Sequence, residues 1–372
     1  LFASEKSQSF FIKEVLIIDE KYGQNLNDKG KEILVEYTDP NAFKVFHIGH
    51  LMANAVGESL SRVIAYSGAT VTRICYPSDI GLHIAKTIWM IQKNLKDMPK
   101  DDAPIQEKTS FLGKMYVEGT ALYDADPTIK KEIDDLNKVL YEKSDKKVNE
   151  IYEKGRGWSF EHFELLYKKL DTHFDDYIYE SEMASVGLKI VKDFIKKGVF
   201  EESQGAVVFP GEKYGLHTRV FINSHGLSTY EAKEIGLNIT KFKKYPNTYQ
   251  SIIITANEQD EYFKVVKKAL SLLDEDVGSK TFHIGHGLLR FSSGKMSSRK
   301  GNVVMAEDFM EEIKNLVIEK IKDRDFDQEE KEKLSEEVAI GAIKYQILRQ
   351  AIGGNIIYDR EKSISFEGDS GP

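Results

Sequence analysis

The stretch 41–50, Asn-Ala-Phe-Lys-Val-Phe-His-Ile-Gly-His, holds the side chains best suited to chemistry on a phosphate. Lys44 brings a positive charge, and His47 and His50 lie three residues apart. If a helix opens here, its unpaired N–H groups and the positive end of its dipole attract anions. Two imidazoles near the opening turn can both donate to phosphate oxygens. Gly49 between them lets a flat base approach the backbone where a Cβ would intrude. Two other readings stay open: ordinary histidines at a helix start, and a zinc pair. Zinc is the weaker of these, because no Glu completes a His-Glu-x-x-His arrangement and Cys75 stands alone.

A second basic stretch sets Lys295, Met296, Ser297, Ser298, Arg299 and Lys300 between Gly294 and Gly301. Such a loop can close over a polyphosphate. A solvated basic loop is the plainer reading. It is not a P-loop, since Gly287 lies too far before Gly294 and Met296 stands at the Ser/Thr position. His283-Ile-Gly-His286 repeats the letters of 47–50 shortly before this loop and reads as a strand or hairpin feeding it.

These residues need a frame. Residues 33–38 are β-branched and aromatic, and Asp39-Pro40-Asn41 breaks them as a strand end. Ile48, Leu51, Ala55, Leu60, Val63 and Ile64 fall at helical spacing up to Ser67-Gly68. Residues 71–76 are a second strand. Strand, helix, strand predicts a βαβ unit and a parallel sheet. Residues 84–197 read as charged helices inserted in the nucleotide fold, with strand patterns returning at 206–209, 219–223 and 251–255. Helices follow at 259–273 and about 327–351, the latter with an apolar stripe of Leu334, Val338, Ala342, Tyr345 and Leu348.

The expected architecture is therefore α/β: a Rossmann-like parallel nucleotide-binding sheet with a mainly helical insertion and C-terminal helices. Its expected divisions are an N-terminal tail and linker (1–30), a first half of the catalytic domain (31–90), the insertion (91–180), a second half (181–320) and the start of a helical region (321–372). With 372 residues, 52 basic against 60 acidic and a net charge of −8, the chain is not a generally basic nucleic-acid-coating protein. No long apolar run suggests a membrane span, and one cysteine excludes an intrachain disulfide. Starting at Leu1 and stopping at Pro372, the sequence reads as a fragment.

Together the two basic motifs resemble the HIGH and KMSKS signatures of class I aminoacyl-tRNA synthetases. The resemblance narrows to arginyl-tRNA synthetases. Their Ser-Pro-Asn-x-x-Lys-Pro-x-His-x-Gly-His pattern is similar to residues 39–50, and their Met-Ser/Thr-x-Arg-Lys-Gly-Asn region to Met296–Asn302. Phe366 to Pro372 resembles the segment before that family's anticodon-binding helices. The family's Thr-Tyr-x-x-x-Asp element, whose Tyr and Asp contact the guanidinium, looks like Thr229 to Glu234. Tyr230 and Glu234 would share a helix face, and a carboxylate suits a planar guanidinium.

The resemblance implies ATP-dependent ligation of L-arginine to tRNA(Arg) through an arginyl-adenylate, with Mg²⁺ carried by ATP and no protein metal cage. It implies phosphate contacts from His47, His50 and Gly49 and from Met296, Ser297 and Lys300, with Lys295 on the leaving group. Asn41 and Gln259 would join Tyr230 and Glu234 on arginine. Departures are Asp39 for Ser, Val45 for Pro, Glu234 for Asp, Asn223 and His225 for commoner residues, and Ser298 for the second lysine of the loop. Lys44 would then supply the missing charge, with Lys300 a second candidate and a solvated turn lysine the simpler reading. Other expectations are a cytoplasmic or organellar monomer. A class I lysyl enzyme and a catalytically silent tRNA- or nucleotide-binding module are the alternatives.

Overall fold

The computed structural model describes residues 4–291 and 304–359, so the loop with Lys295, Met296, Ser297 and Lys300 and the segment 366–372 lie outside the described residues. The chain enters through α1 (Glu5–Ile18), which leaves Leu16 and Ile17 exposed. It then forms β1 (Glu32–Glu36), α2 (Ile48–Tyr66) and β2 (Thr70–Cys75). Four helices follow: α3 (Leu82–Lys93), α4 (Ile105–Ala125), α5 (Pro127–Glu142) and α6 (Lys146–Lys169). Next come β3 (Asp176–Tyr177), α7 (Glu180–Ile195), β4 (Glu201–Ser203), β5 (Ala206–Phe209), β6 (Arg219–Ile222) and α8 (Tyr230–Lys244). The described chain closes with β7 (Thr248–Ala256), α9 (Asp260–Leu273), α10 (Glu275–Lys280), β8 (Thr281–His286), β9 (Leu289–Phe291), α11 (Ala306–Ile321), α12 (Gln328–Leu348) and β10 (Ile356–Tyr358).

The main sheet runs β3-β2-β1-β7-β8 with every neighbouring pair parallel. Ile33, Leu34 and Val35 of the central strand are all buried, as a strand covered on both faces requires. The expected βαβ unit is present: β1 leads through α2 to β2 on one side of β1, whereas β7 joins the other side. Strand order therefore reverses at β1, and the crevice beyond the carboxyl ends of β1 and β7 is the place where such sheets bind ligands.

Three details differ from the sequence reading. Residues 206–209 and 219–222 are strands, but they form a separate antiparallel sheet with β4 rather than extending the main one. The parallel sheet resumes at β3, inside the span 91–180 assigned to the insertion, because Ile74 and Cys75 of β2 pair with Asp176 and Tyr177. On α12 the buried face is Ser335, Ala339, Ala342, Ile343, Gln346 and Ile347. Tyr345 and Leu348 of the expected stripe are exposed, and Leu334 and Val338 pack only at its margin. The buried face of α12, three small residues with Ile343, Gln346 and Ile347, packs chiefly against α11 and α2.

α3 to α6 build their own apolar core around Ile84, Ile88, Leu112, Met115, Ile133 and Trp158. That core also holds Ala42 and Phe43, from the loop between β1 and α2. The insertion and the loop are one packing unit.

Candidate active site

The helix after β1 begins as the sequence predicts, with His47 as the N-cap of α2. Its Nδ1 accepts from the Gly49 N–H at 3.1 Å, and His50 Nδ1 accepts from the His47 N–H at 3.2 Å. This is a capping box made of two imidazoles, whose rings stack with centroids 3.6 Å apart. The Ile48 N–H donates to the Val304 carbonyl at 3.0 Å, and those of His50 and Leu51 reach the His47 carbonyl. The helix start therefore has no spare N–H for an anion, contrary to the expectation from sequence. The donors left for a phosphate are the two Nε2–H groups, because each Nδ1 is occupied as an acceptor.

Burial and then the neighbouring Lys44 charge lower the His47 pKa to about 4. Burial, then His47 and Lys44, lower His50 well below the usual histidine value. Both rings are neutral donors at neutral pH. A Cβ on Gly49 would sit 3.0 Å from the His47 ring, so this glycine admits its own cap residue. Lys44 Nζ lies 4.8 Å from the Tyr116 ring centroid, with no carboxylate partner among the described residues.

The strap after the undescribed loop is fixed to the same helix start. His47 bridges Met305, and the Ala306 N–H donates to the Phe46 carbonyl at 3.0 Å. The second His-Ile-Gly-His is strand β8, as expected. His283 stacks on Phe263 at 4.1 Å and meets Thr255 Oγ1 at 2.8 Å, so it serves the α9 interface rather than capping a helix.

At the ends of β1 and β2 carboxylates gather. Glu36 pairs with Lys241 at 2.6 Å, both out of solvent. Glu180 pairs with Lys233 at 2.8 Å and accepts from Ser78 Oγ. Asp79 receives Arg156 at 2.8 Å and the Ser181 N–H. Glu234, 6 % exposed, receives only Asn238 Nδ2, at 2.9 Å, among the described residues. Burial and then the Glu36 charge push Glu234 up to about 8. The Tyr76 hydroxyl is buried without a partner, and burial, then Glu180 and Glu234, raise its pKa. Of the carboxylates gathered here, Glu234 and Asp39 form no ion pair among the described residues. Among the described residues its acids do not converge into a set that could hold a metal ion.

Tyr230 opens α8 one turn before Glu234, is 57 % exposed, and lies 4.9 Å from Lys233 Nζ. Burial of its hydroxyl and then Glu180 raise its pKa to about 12. Asn41 bridges Ser78 across the ends of β1 and β2. Gln259 is exposed at the carboxyl end of β7, just before α9, with no hydrogen bond among the described residues.

Reading the sequence did not single out Glu36, Asp79, Glu180, Lys233 or Lys241. One signal was available: Glu36 is a charge inside the apolar run 33–37, where burial demands a partner.

The model of the family described as tRNA synthetases class I (R), catalytic domain, matches residues 11–359. The chain belongs to that family. It is 30 % identical over 369 residues to an arginine–tRNA ligase of Borrelia hermsii, covering 97 % of this chain and 63 % of that protein. To an arginine–tRNA ligase of Clostridium kluyveri it is 30 % identical over 365 residues, covering 98 % and 63 %. The chain thus spans 63 % of the length of these two relatives. The arginyl-tRNA synthetase of Thermus thermophilus shares its fold with a TM-score of 0.74 at 21 % identity, over 94 % of this chain and 63 % of that one. That of Plasmodium falciparum gives 0.70 at 19 %, over 95 % and 58 %. Membership of this class accounts for a parallel sheet whose first helix is capped by His47 and His50. No helix among the described residues is long and apolar enough to cross a membrane.

Proposed function

We propose that this chain is the catalytic part of an arginine–tRNA ligase. Arginine and ATP enter the crevice beyond β1 and β7. The arginine carboxylate attacks the α-phosphorus of ATP, the bond to the β-phosphate oxygen breaks, and Mg²⁺-borne pyrophosphate leaves. A terminal ribose hydroxyl of tRNA(Arg) then attacks the arginyl carbonyl, loses its proton and releases AMP. No protein nucleophile is needed. The site contributes position and charge.

In this reading His47 and His50 hold phosphate oxygens through Nε2–H. Lys44, next to that helix start and without an anionic partner among the described residues, stabilises the charge growing on phosphate. Lys295, Met296, Ser297 and Lys300 close from the loop whose far end is tied to His47. Asn41 and Gln259 meet the polar head of arginine. Glu234 and Tyr230 take its guanidinium.

The observation that carries the proposal is Glu234: a buried carboxylate in no ion pair among the described residues, one helical turn from an open tyrosine. A planar guanidinium supplies the missing charge and two parallel N–H donors. Glu in place of the family's Asp fits, because Asn238 draws the side chain back along α8.

ATP–pyrophosphate exchange with each of several amino acids, with and without tRNA, tests it. Exchange driven by arginine alone is expected. Exchange driven by lysine would reassign the substrate, and none with any amino acid plus tRNA would leave a binding module.

A further inference from the structure

Resting on the catalytic reading above, we propose that Tyr116, on helix α4 of the insertion, is the positioning residue for Lys44: the face of its ring holds the lysine ammonium beside the two capping histidines. Lys44 Nζ lies 4.8 Å from the centroid of that ring and pairs with no carboxylate among the described residues. Burial dominates the lowered pKa values of His47, His50 and His83, and the Lys44 charge adds to each. The ammonium is therefore on the histidine side of its loop, where a phosphate held by His47 and His50 would lie.

A lysine in this role needs a hold. Its charge rides on a flexible four-carbon stem, and an ammonium free to sample solvent meets a phosphate in few of its rotamers. A carboxylate would fix it more firmly but would cancel the charge that the reaction uses. A ring face attracts the ammonium through its quadrupole and leaves the charge intact. Lys233 shows the contrast. Its Nζ lies 4.9 Å from the Tyr230 ring, yet Glu180 at 2.8 Å neutralises it.

The packing of α4 puts the ring there. Gly113 and Tyr116 are three residues apart and share a face of that helix. Gly113 is buried, and a Cβ on it would lie 3.1 Å from Val45 Cγ1. That glycine brings the helix onto Val45, and Tyr116, about one turn on, falls against Lys44. Val45 stands where the related pattern has proline, so packing against α4 orders this stretch in place of a fixed φ. Tyr116 also reaches α8. Burial and Glu180 lead the rise of the Tyr230 pKa to about 12, and the Tyr116 hydroxyl adds to it. One side chain of the insertion thus neighbours both Lys44 and the tyrosine that opens α8.

Pyrophosphate exchange at saturating ATP, arginine and tRNA, in a cycle of Tyr116→Leu, Lys44→Met and the double variant, tests the assignment. Tyr116→Leu should lower kcat by about three- to tenfold, the worth of a partly buried cation–π contact, with the KM for arginine unchanged. In the Lys44→Met background the same change should cost less than about twofold. Tyr116→Phe, which keeps the ring, should restore the rate to within about twofold of wild type. Tyr116→Met is carried through the same cycle, and melting temperatures identify a variant that fails to fold, so that one such failure leaves the other to decide. An equal loss in both Lys44 backgrounds, an unchanged rate, or a loss in Tyr116→Phe equal to that in Tyr116→Leu overturns the proposal. No exchange by the wild-type chain with any amino acid and tRNA overturns the catalytic reading and this proposal with it.

Discussion

The backbone N–H of Phe43 donates to Ser159 Oγ at 2.9 Å, across 116 residues of sequence. Phe43 is fully buried with φ 64°, and its ring covers Gly155, where a Cβ would lie 2.3 Å from a ring atom. Helix α6 thereby clamps the loop that carries Asp39, Asn41 and Lys44. The helices α3 to α6, which contribute no strand to the sheet, thus hold the loop that carries these residues.

Ser159→Ala should leave the Phe43 N–H buried and unpaired, at a cost of about 1–3 kcal/mol in urea unfolding. Gly155→Ala forces the Phe43 ring aside and should cost at least as much. Both should also raise the KM for arginine in pyrophosphate exchange. Loss of stability with an unchanged KM would show that the clamp does not set the site.

Arginine binding should be linked to proton release. Glu234 holds its proton up to about pH 8, and a guanidinium partner favours the charged form. Glu36, Glu180 and Lys241 face it from β1, α7 and α8, with burial and Glu36 dominant, and Asp39 faces it from the loop after β1. Affinity should therefore rise by up to about tenfold per pH unit between 6 and 8, then level off. Calorimetry in buffers of different ionisation enthalpy should show protons released at pH 7. Proton uptake would contradict the assignment.

Stability of the free chain should respond in the opposite sense. The unfolded carboxyl loses its proton near 4.5 and the folded one near 8, so the folded state binds the extra proton across that window. Stability then falls as pH rises from about 4.5 to about 8. Glu234→Gln removes this penalty. Its melting temperature relative to wild type should climb with pH and stand about 3 °C higher at pH 8.5. The same variant should lose the thermal shift that arginine gives the wild type. Parallel melting curves across pH would rule out a buried acidic Glu234.

At the helix start the tautomer predicts an order of variants. His50 uses Nδ1 to cap His47, so Nε2–H is its free donor. Glutamine carries an N–H near that place and alanine none. Exchange rates at saturating substrates should rank wild type, His50→Gln, His50→Ala, with the last down by about 100-fold. Because burial holds His47 near pKa 4, its protonation should cause no loss of rate between pH 8 and 6. Equal rates for the two variants would remove the Nε2–H role.

The local parts are legible in the residue order. The β-branched run, the Pro-Asn break and the apolar spacing after His47 place strand, helix and strand, since each depends on residues within one or two turns. The His-Ile-Gly-His letters and the Tyr230–Glu234 spacing mark side chains of the right chemistry. What those letters do depends on the neighbours that folding brings to them. One His-Ile-Gly-His caps a helix and its copy builds a strand, because the first follows a strand end and the second lies between partners in a sheet. Spacing along α12 cannot reveal which of its faces meets α11 and α2. Above all, Glu234 is the unpaired acid because Lys241 reaches Glu36 and Lys233 reaches Glu180, from 205 and 53 residues away. Charge balance in a buried pocket is a sum over groups brought together by folding, and no local pattern contains it.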